Sequence, residues 1–468
     1  MKISKILGML LVIVLITSLS LIGVGCKEEV ASEEMTEEST EEEATTEEMA
    51  EESPSEEEME EVSLRWAVIS FYPGEEDAIQ KLVDLYRIDH PNVNVEIETY
   101  STDEYNQKLT TQLAGSDMPD IITNWGGNVA ALAKEGLTMD LTPYLQSGDY
   151  EFTDKDIHPV MLRVATIHTG EVMFLPKEAS GLNYLYNKDM FDEAGLDYPT
   201  EDWTYDDMVE MAKALTKETD DGMQYGITSH PYWMYAIIAA AGAYGFDGGS
   251  LNENHEYNFN TPEAVEGIGK FFDGFKEGYS MPVSTLDEFG GDLAAFGLGK
   301  GAFLPTFRWG VPKVRELAEF DWDVQLAPLG PTGKHYAFCG TSGYSISSGC
   351  KNIDVAVDLI FSLYSEEGFR EFASSYAVVP PVTSLFDSDI WRGLDPPPYN
   401  NDVYVKLLDD AVTTPMIPEF RQTFVNKGLQ DALDNYLLND MSLQDSLDLA
   451  VADVNAQIAE LVEEYGIE

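Results

Sequence analysis

The sequence predicts an α/β fold divided into two lobes, and three observations carry that expectation. From residue 62 onward, apolar or alternating segments of strand length interleave with segments of helical period, in the order β-α-β-α-β. That body runs for about 400 residues, more than one hydrophobic core organises. The 61 residues before it differ so sharply in composition that they stand apart from the folded part.

Lys2 and Lys5 precede an apolar run over residues 6–24, which closes at Gly25-Cys26. A basic start, an apolar stretch and small residues before a cysteine read as an export signal. Cys26 resembles the cysteine of a bacterial lipoprotein lipobox, although Gly23 stands where that box usually carries Leu. On this reading residues 1–25 are a lipoprotein signal peptide and Cys26 carries the lipid. An uncleaved anchor is the alternative, since about 20 apolar residues span a bilayer. Both place the body at the extracellular face of the membrane, or in a periplasm.

Residues 28–61 hold 18 Glu and no Lys, Arg or aromatic residue. Such a segment buries too little apolar surface to offset its ordering entropy, and like charges extend it. Residues 26–61 are therefore expected to be a disordered acidic tether. The body is acidic as well: residues 62–468 carry 67 acidic and 24 basic side chains, a balance of −43. Nucleic acid is excluded as a partner, because counterion release requires a basic face. Beyond Cys26 there are two cysteines, Cys339 and Cys350, separated by a short strand pattern that keeps them beyond disulfide reach. The six His show no HxxxH or HExxH spacing, so neither a metal nor another cofactor is expected.

Residues 64–71 (LRWAVISF) are apolar almost throughout, as a buried parallel strand requires. Pro73-Gly74 ends it, and residues 75–89 carry Ile79, Leu82, Val83 and Tyr86 at helical spacing. Residues 92–100 alternate as a second strand, 103–114 form a second helix and 120–124 a third strand. Strands are then expected at 165–175 and 181–186, and helices at 190–194 and 204–216. Thr204 caps the latter with Asp206 and Asp207 in its first turn. Thr261-Pro262 opens a helix that runs to 277. A strand at 322–328, helices at 354–365 and 366–374, and a long helix at 443–464 complete the pattern.

Several segments carry a family resemblance. They are LAGSDMPDII at 113–122, Leu175-Pro176, LYNKDMFDEAGLDYPTEDW at 185–203, FGLGKGA at 296–302, APLG at 327–330, GTSGYSIS at 340–347, LYSEEG at 363–368 and VPPV at 379–382. Together and in this order they resemble the extracellular solute-binding proteins of ABC importers, in the cluster that includes maltodextrin-binding proteins. The resemblance implies a two-lobed periplasmic-binding-protein-like fold, each lobe a mixed or mostly parallel sheet flanked by helices, with the ligand in the cleft between them. It places three crossovers near residues 178–181, 339–343 and 396–398. The lobes would then comprise residues 62–178 with 343–395, and 179–342 with 396–468. It further implies a carbohydrate ligand, ABC permease subunits as partners, and a monomer.

A pyranose offers an apolar face and a rim of hydroxyls, so its binder needs flat aromatic platforms with polar groups at their edges. Tyr72 follows the first strand, Asn124-Trp125 ends the third, and Tyr232-Trp233 follows the strand at 225–227. Arg308-Trp309 stands where family members present a stacking Trp. Glu178 lies on the first crossover, and Gly340-Thr341 replaces a pair of glycines common in the family. Trp66 and Trp322 lie within strands and are assigned to the core, Trp203 to a helix start, and Asp120 to a structural turn. Gly181, Gly340 and Gly343 are expected to supply hinge freedom or only to serve turns.

No GxSxG, P-loop or HExxH arrangement suggests catalysis. A surface glycoside hydrolase, an ion binder and a sensor on the same fold remain as alternatives. Cys26→Ser is expected to move the chain from the membrane fraction to the soluble one. A serine variant that stays with membranes at mature length would rule out the lipoprotein reading.

Overall fold

The computed structural model describes residues 60–70, 72, 74–115, 117–230, 235–245, 256–413 and 422–465. Twelve strands are present among them: β1 (Val62–Ile69), β2 (Val93–Tyr100), β3 (Ile121–Trp125), β4 (Leu175–Pro176), β5 (Asn183–Asn187), β6 (Lys217–Thr219), β7 (Gly222–Ile227), β8 (Gly301–Thr306), β9 (Trp322–Gln325), β10 (Ala337–Phe338), β11 (Ser342–Ile346) and β12 (Ala411–Val412). They build two five-stranded sheets, ordered β2-β1-β3-β11-β4 and β6-β7-β8-β5-β9, and a two-stranded β10-β12 ladder. Both large sheets are mixed. β1 runs parallel to β2 and β3, while β11 runs antiparallel to β3 and β4. β5 runs antiparallel to β8 and β9, and β7 parallel to β8.

Period-two alternation in β1 explains how the first sheet is covered on both faces. Leu64, Trp66 and Val68 join the large core, whereas Ala67 and Ile69 face a smaller cluster with Tyr105, Leu109, Ile122 and Leu132. Trp66 and Trp322 are both fully enclosed, as strand positions predict. Trp203 is buried too and donates from Nε1 to the Leu326 carbonyl. Thr204 caps the helix Tyr205–Leu215 through a reciprocal arrangement with Asp207, and Thr261 caps Pro262–Glu277. Asp120 is structural: its Oδ2 accepts from the backbone N–H of Arg65 at 2.9 Å.

Two expectations need correction. Residues 165–175 do not form one strand. The helix Pro159–Ala165 ends where that strand was expected to start. Thr166 and Val172 then close a tight turn around Gly170, which has φ 103°, and only Leu175–Pro176 pairs in the sheet. The predicted helix 354–365 also breaks, into Ile353–Phe361 and a 3-10 turn at Ser362–Tyr364.

The chain passes from β4 to β5 and returns from β9 to β11, and these two crossovers are bonded to each other. Gly181 and Cys339 form an antiparallel bridge, Leu182 donates to the Phe338 carbonyl, and Gly340 donates to the Ser180 carbonyl. β10 then pairs with β12, which ties the second crossover to the segment at residues 411–412. The Cys339 thiol donates to the Ser180 carbonyl at 2.9 Å; it and Cys350 are both buried and free.

Gly181 and Gly343 matter through size rather than unusual φ. A Cβ on Gly343 would lie 1.9 Å from the Leu175 carbonyl oxygen, and one on Gly181 would lie 2.1 Å from Leu407 Cδ1. Neither falls in the left-handed region. Gly343→Ala is therefore expected to cost about 3 kcal/mol or more, because a backbone carbonyl cannot yield as a side chain does. Gly349→Ala, with its nearest neighbour at 3.7 Å, serves as the tolerated control in urea unfolding. Equal midpoints for the two variants would contradict this account.

Candidate ligand-binding site

In open α/β sheets, ligands bind beyond the carboxyl ends of the strands. Register fixes where those ends lie. Trp125, ending β3, is opposite Ser342, which begins β11, and Pro176, ending β4, is opposite Gly343. In the second sheet, Asn183 begins β5 opposite Thr306, the end of β8, and Tyr184 is opposite Gln325, the end of β9. The first crossover leaves the end of β4 and enters the start of β5. Both sheets thus turn their carboxyl edges toward the crossovers, which is where Tyr72, Trp125, Glu178 and the segment 307–309 sit.

On the first edge, a cluster of polar groups surrounds the start of the helix Glu75–Tyr86. Glu75 and Lys177 form an ion pair whose side chains are both fully enclosed. The helix N-terminus favours the carboxylate of Glu75. The Lys177 ammonium lies 5.1 Å from the centre of the Tyr72 ring. Glu178 is 5% exposed; its Oε1 accepts from Ser342 Oγ at 2.9 Å, and its carbonyl accepts from Thr341 Oγ1 at 2.6 Å. Burial pushes the Glu178 carboxyl above its ordinary value, with Lys177 opposing and Glu75 adding to the rise. Burial likewise drives the Tyr72 phenol well upward.

Asn124 is fully buried; its Nδ2 donates to Ser345 Oγ and its Oδ1 accepts from the Trp125 backbone N–H. It orients the end of β3 instead of offering its amide outward. Trp125 is half-buried beside Tyr105, with ring centres 6.3 Å apart. Gly340 is half-buried and Thr341 buried, on the second crossover.

On the second edge, Phe307 and Trp309 stack with ring centres 6.1 Å apart and planes at 18°, and Trp309 is half-buried. Arg308 turns away from them and is 1% exposed. Its Nη1 donates to Asn401 Oδ1 at 2.6 Å, and its guanidinium lies 5.2 Å from the Trp391 ring centre and 4.9 Å from that of Tyr404. Burial lowers its pKa to about 10. Desolvating an ion costs several kcal/mol, whereas a desolvated cation–π contact returns roughly 2 kcal/mol. The aromatic faces offset only part of that cost.

The predicted residues therefore fall into two groups. Tyr72, Glu178 and Thr341 gather with Glu75, Lys177 and Ser342 around the first edge; Arg308 and Trp309 belong to the second. Tyr232 and Trp233 lie outside the described residues. Sequence reasoning missed Glu75 and Lys177, which are 102 positions apart, and the Trp391–Tyr404–Asn401 surround of Arg308. A Lys beside Leu175-Pro176 within a nearly unbroken buried stretch was the available signal for the first. Nothing local marked the second. Among the described residues, no group of three His, Cys, Asp or Glu is placed to hold a metal ion.

Residues 72–413 match the family described as bacterial extracellular solute-binding protein. A galactooligosaccharide-binding protein of Bacillus subtilis is 26% identical over 276 residues, covering 57% of this chain and 61% of its own length. An ABC substrate-binding protein of Listeria monocytogenes, solved in complex with cycloalternan, superposes with a TM-score of 0.74 at 22% identity, covering 86% of this chain and all of that one. The sugar-binding protein MalE of Xanthomonas citri gives a TM-score of 0.73 at 17% identity, covering 87% of this chain and all of that one. The fold is that of these two-lobed proteins.

Lys177→Met is expected to destabilise the chain by about 3–5 kcal/mol, since it strands the Glu75 carboxylate in the interior. The double variant Glu75→Gln, Lys177→Met should recover most of that loss. Urea unfolding of the three proteins checks this, and additive losses would show that the pair is not coupled.

Proposed function

This chain belongs to the family of bacterial extracellular solute-binding proteins, and on that footing we propose that it captures a carbohydrate between its two sheets and delivers it to an ABC permease. The observation that carries the reading is the facing of both carboxyl edges, with aromatic rings and hydrogen-bonding groups on the loops beyond them. Tyr72, Trp125, Tyr232, Trp233 and Trp309 are read as platforms for sugar faces. Asn124, Glu178, Arg308, Gly340 and Thr341 are read as the polar rim or its support. The ligands of the relatives above, a galactooligosaccharide and cycloalternan, support the same class. No bond is broken on this reading: Glu75 and Glu178, the buried carboxylates near the crossovers, are held by Lys177 and Ser342. That arrangement favours binding over hydrolysis.

The lobes are read as residues 62–178 with 343–395, and 179–342 with 396–468. A ligand that binds the closed arrangement better than the open one shifts the population toward closure, which the permease then senses. The protein is read as a monomer, held at the extracellular face of the membrane by lipid on Cys26 and spaced from it by residues 26–61. Residues 26–59 lie outside the described ones, and the motif at 23–26 supports the anchor.

A thermal-shift screen against sugars, followed by calorimetry, tests the reading. Trp309→Ala should weaken binding of the sugar found by about 1–3 kcal/mol, taking the stacking of a base on an aromatic ring as the nearest analogue. Trp66→Ala should instead cost about 3–5 kcal/mol of folding stability. Unchanged affinity in Trp309→Ala, together with a large drop in melting temperature, would return that residue to the core.

A further inference from the structure

The chain has 85 acidic side chains against 27 Lys and Arg, so a counter-ion is within easy reach of almost any cation. Arg65, Arg370 and Arg392 each pair with a carboxylate within 3.2 Å. Arg308, more deeply buried than any of these, pairs with none among the described residues. Its hydrogen bond goes to the neutral Asn401, and its Nε is enclosed with no acceptor. Trp391 and Tyr404 lie against the guanidinium. Arg315 adds a second positive charge nearby, its own Nη1 directed to the backbone carbonyls of Asp395 and Pro397. The Nε–Nη2 edge is the fork that matches a carboxylate or phosphate in two parallel hydrogen bonds.

Position turns this anomaly into a recognition argument. Arg308 follows the carboxyl end of β8 and immediately precedes Trp309, the candidate stacking platform. Trp391 lies on the helix Asp389–Arg392, which packs on the helix Glu366–Ala373 beside the first sheet. Arg308 thus lies where the two sides of the molecule meet, and a change in how the sheets meet would alter the cover that Trp391 gives the fork. A deeply buried guanidinium with a second, half-buried one nearby attracts an anion that the surrounding acidic surface repels. A neutral sugar would leave the charge of Arg308 unanswered.

We propose that Arg308 is the counter-ion for an oxyanion on the captured sugar, so that the ligand class is an acidic saccharide, carboxylated or phosphorylated. The inference rests on the carbohydrate reading above and adds the charge.

The test is calorimetry of the full-length protein against galacturonate, glucuronate and mannuronate with their short oligomers, the methyl ester of each, the neutral parent sugars and the 6-phosphates. In the wild-type protein one uronate, or one sugar phosphate, should bind about tenfold or more tighter than its ester or neutral parent. The preferred arm identifies the oxyanion. Arg308→Gln should bring the charged and uncharged members to within about threefold of each other, and Arg308→Lys should keep an intermediate preference because it retains charge but not the fork. Neutral sugars that bind the wild-type protein as tightly as acidic ones would overturn this inference and leave the carbohydrate reading standing. A charge preference that survives Arg308→Gln would also overturn it. If no saccharide binds, charged or neutral, both readings fall. The ester comparison uses the wild-type chain alone, so it decides even if the variants fail to fold.

Discussion

The arrangement of the two sheets depends on the narrow strip where the two crossovers between them and the segment at residues 411–412 hydrogen-bond to one another. The Gly181–Cys339 bridge, the Leu182–Phe338 bond and the β10–β12 ladder tie together segments that come from distant parts of the chain. A single flexible linker would let the sheets sample many orientations. Three segments bonded side by side hold them to a narrower set, which would limit the orientational entropy lost on enclosing a ligand. Close packing keeps the strip thin. Gly343 sits against the Leu175 carbonyl and Gly181 against Leu407, so no side chain props the segments apart. Glu178 and Thr341 lie on the strip itself, bonded to each other, so the groups nearest the hinge are also candidate ligand contacts.

Two buried cations show how differently one interior can treat charge. Lys177 is matched by Glu75 at a helix N-terminus and covered by the Tyr72 ring, an arrangement complete within the first sheet's edge. Arg308 is held by rings and one neutral amide on segments beyond its own sheet. Removing a partner from the first should be felt as lost stability. Changing the second should be felt in what the protein binds and in how the sheets meet.

Much of the fold was legible because it is written in local periodicity. The alternation of residues 92–100, the capping residues Thr204 and Thr261, and the placement of Trp66 and Trp322 in strands all carried through to the structure. The family resemblance, resting on short segments in a fixed order, held as well. The strand expected at 165–175 failed because apolar content outweighed a Thr-Gly turn in the reading. Gly181 and Gly343 also meet a steric demand, a collision with Leu407 and with the Leu175 carbonyl, that no local pattern announced. Of the candidate site, the sequence indicated loops that the structure puts at the carboxyl edges, those of Tyr72, Trp125 and Trp309. Residue partners 93 or 102 positions away are set by how the sheets assemble, and no window of sequence contains them.

The two enclosed thiols carry a consequence for a protein of this family, whose members work where disulfides form readily. Desolvation raises both, Cys350 to about 12, so at neutral pH neither supplies the thiolate that exchange requires. The folded chain can therefore keep unpaired cysteines in an oxidising setting without scrambling or cross-linking. Cys339 is also part of the crossover strip, bonded to the first crossover through its sulfur. Its alkylation rate would therefore report how often that strip becomes accessible to solvent.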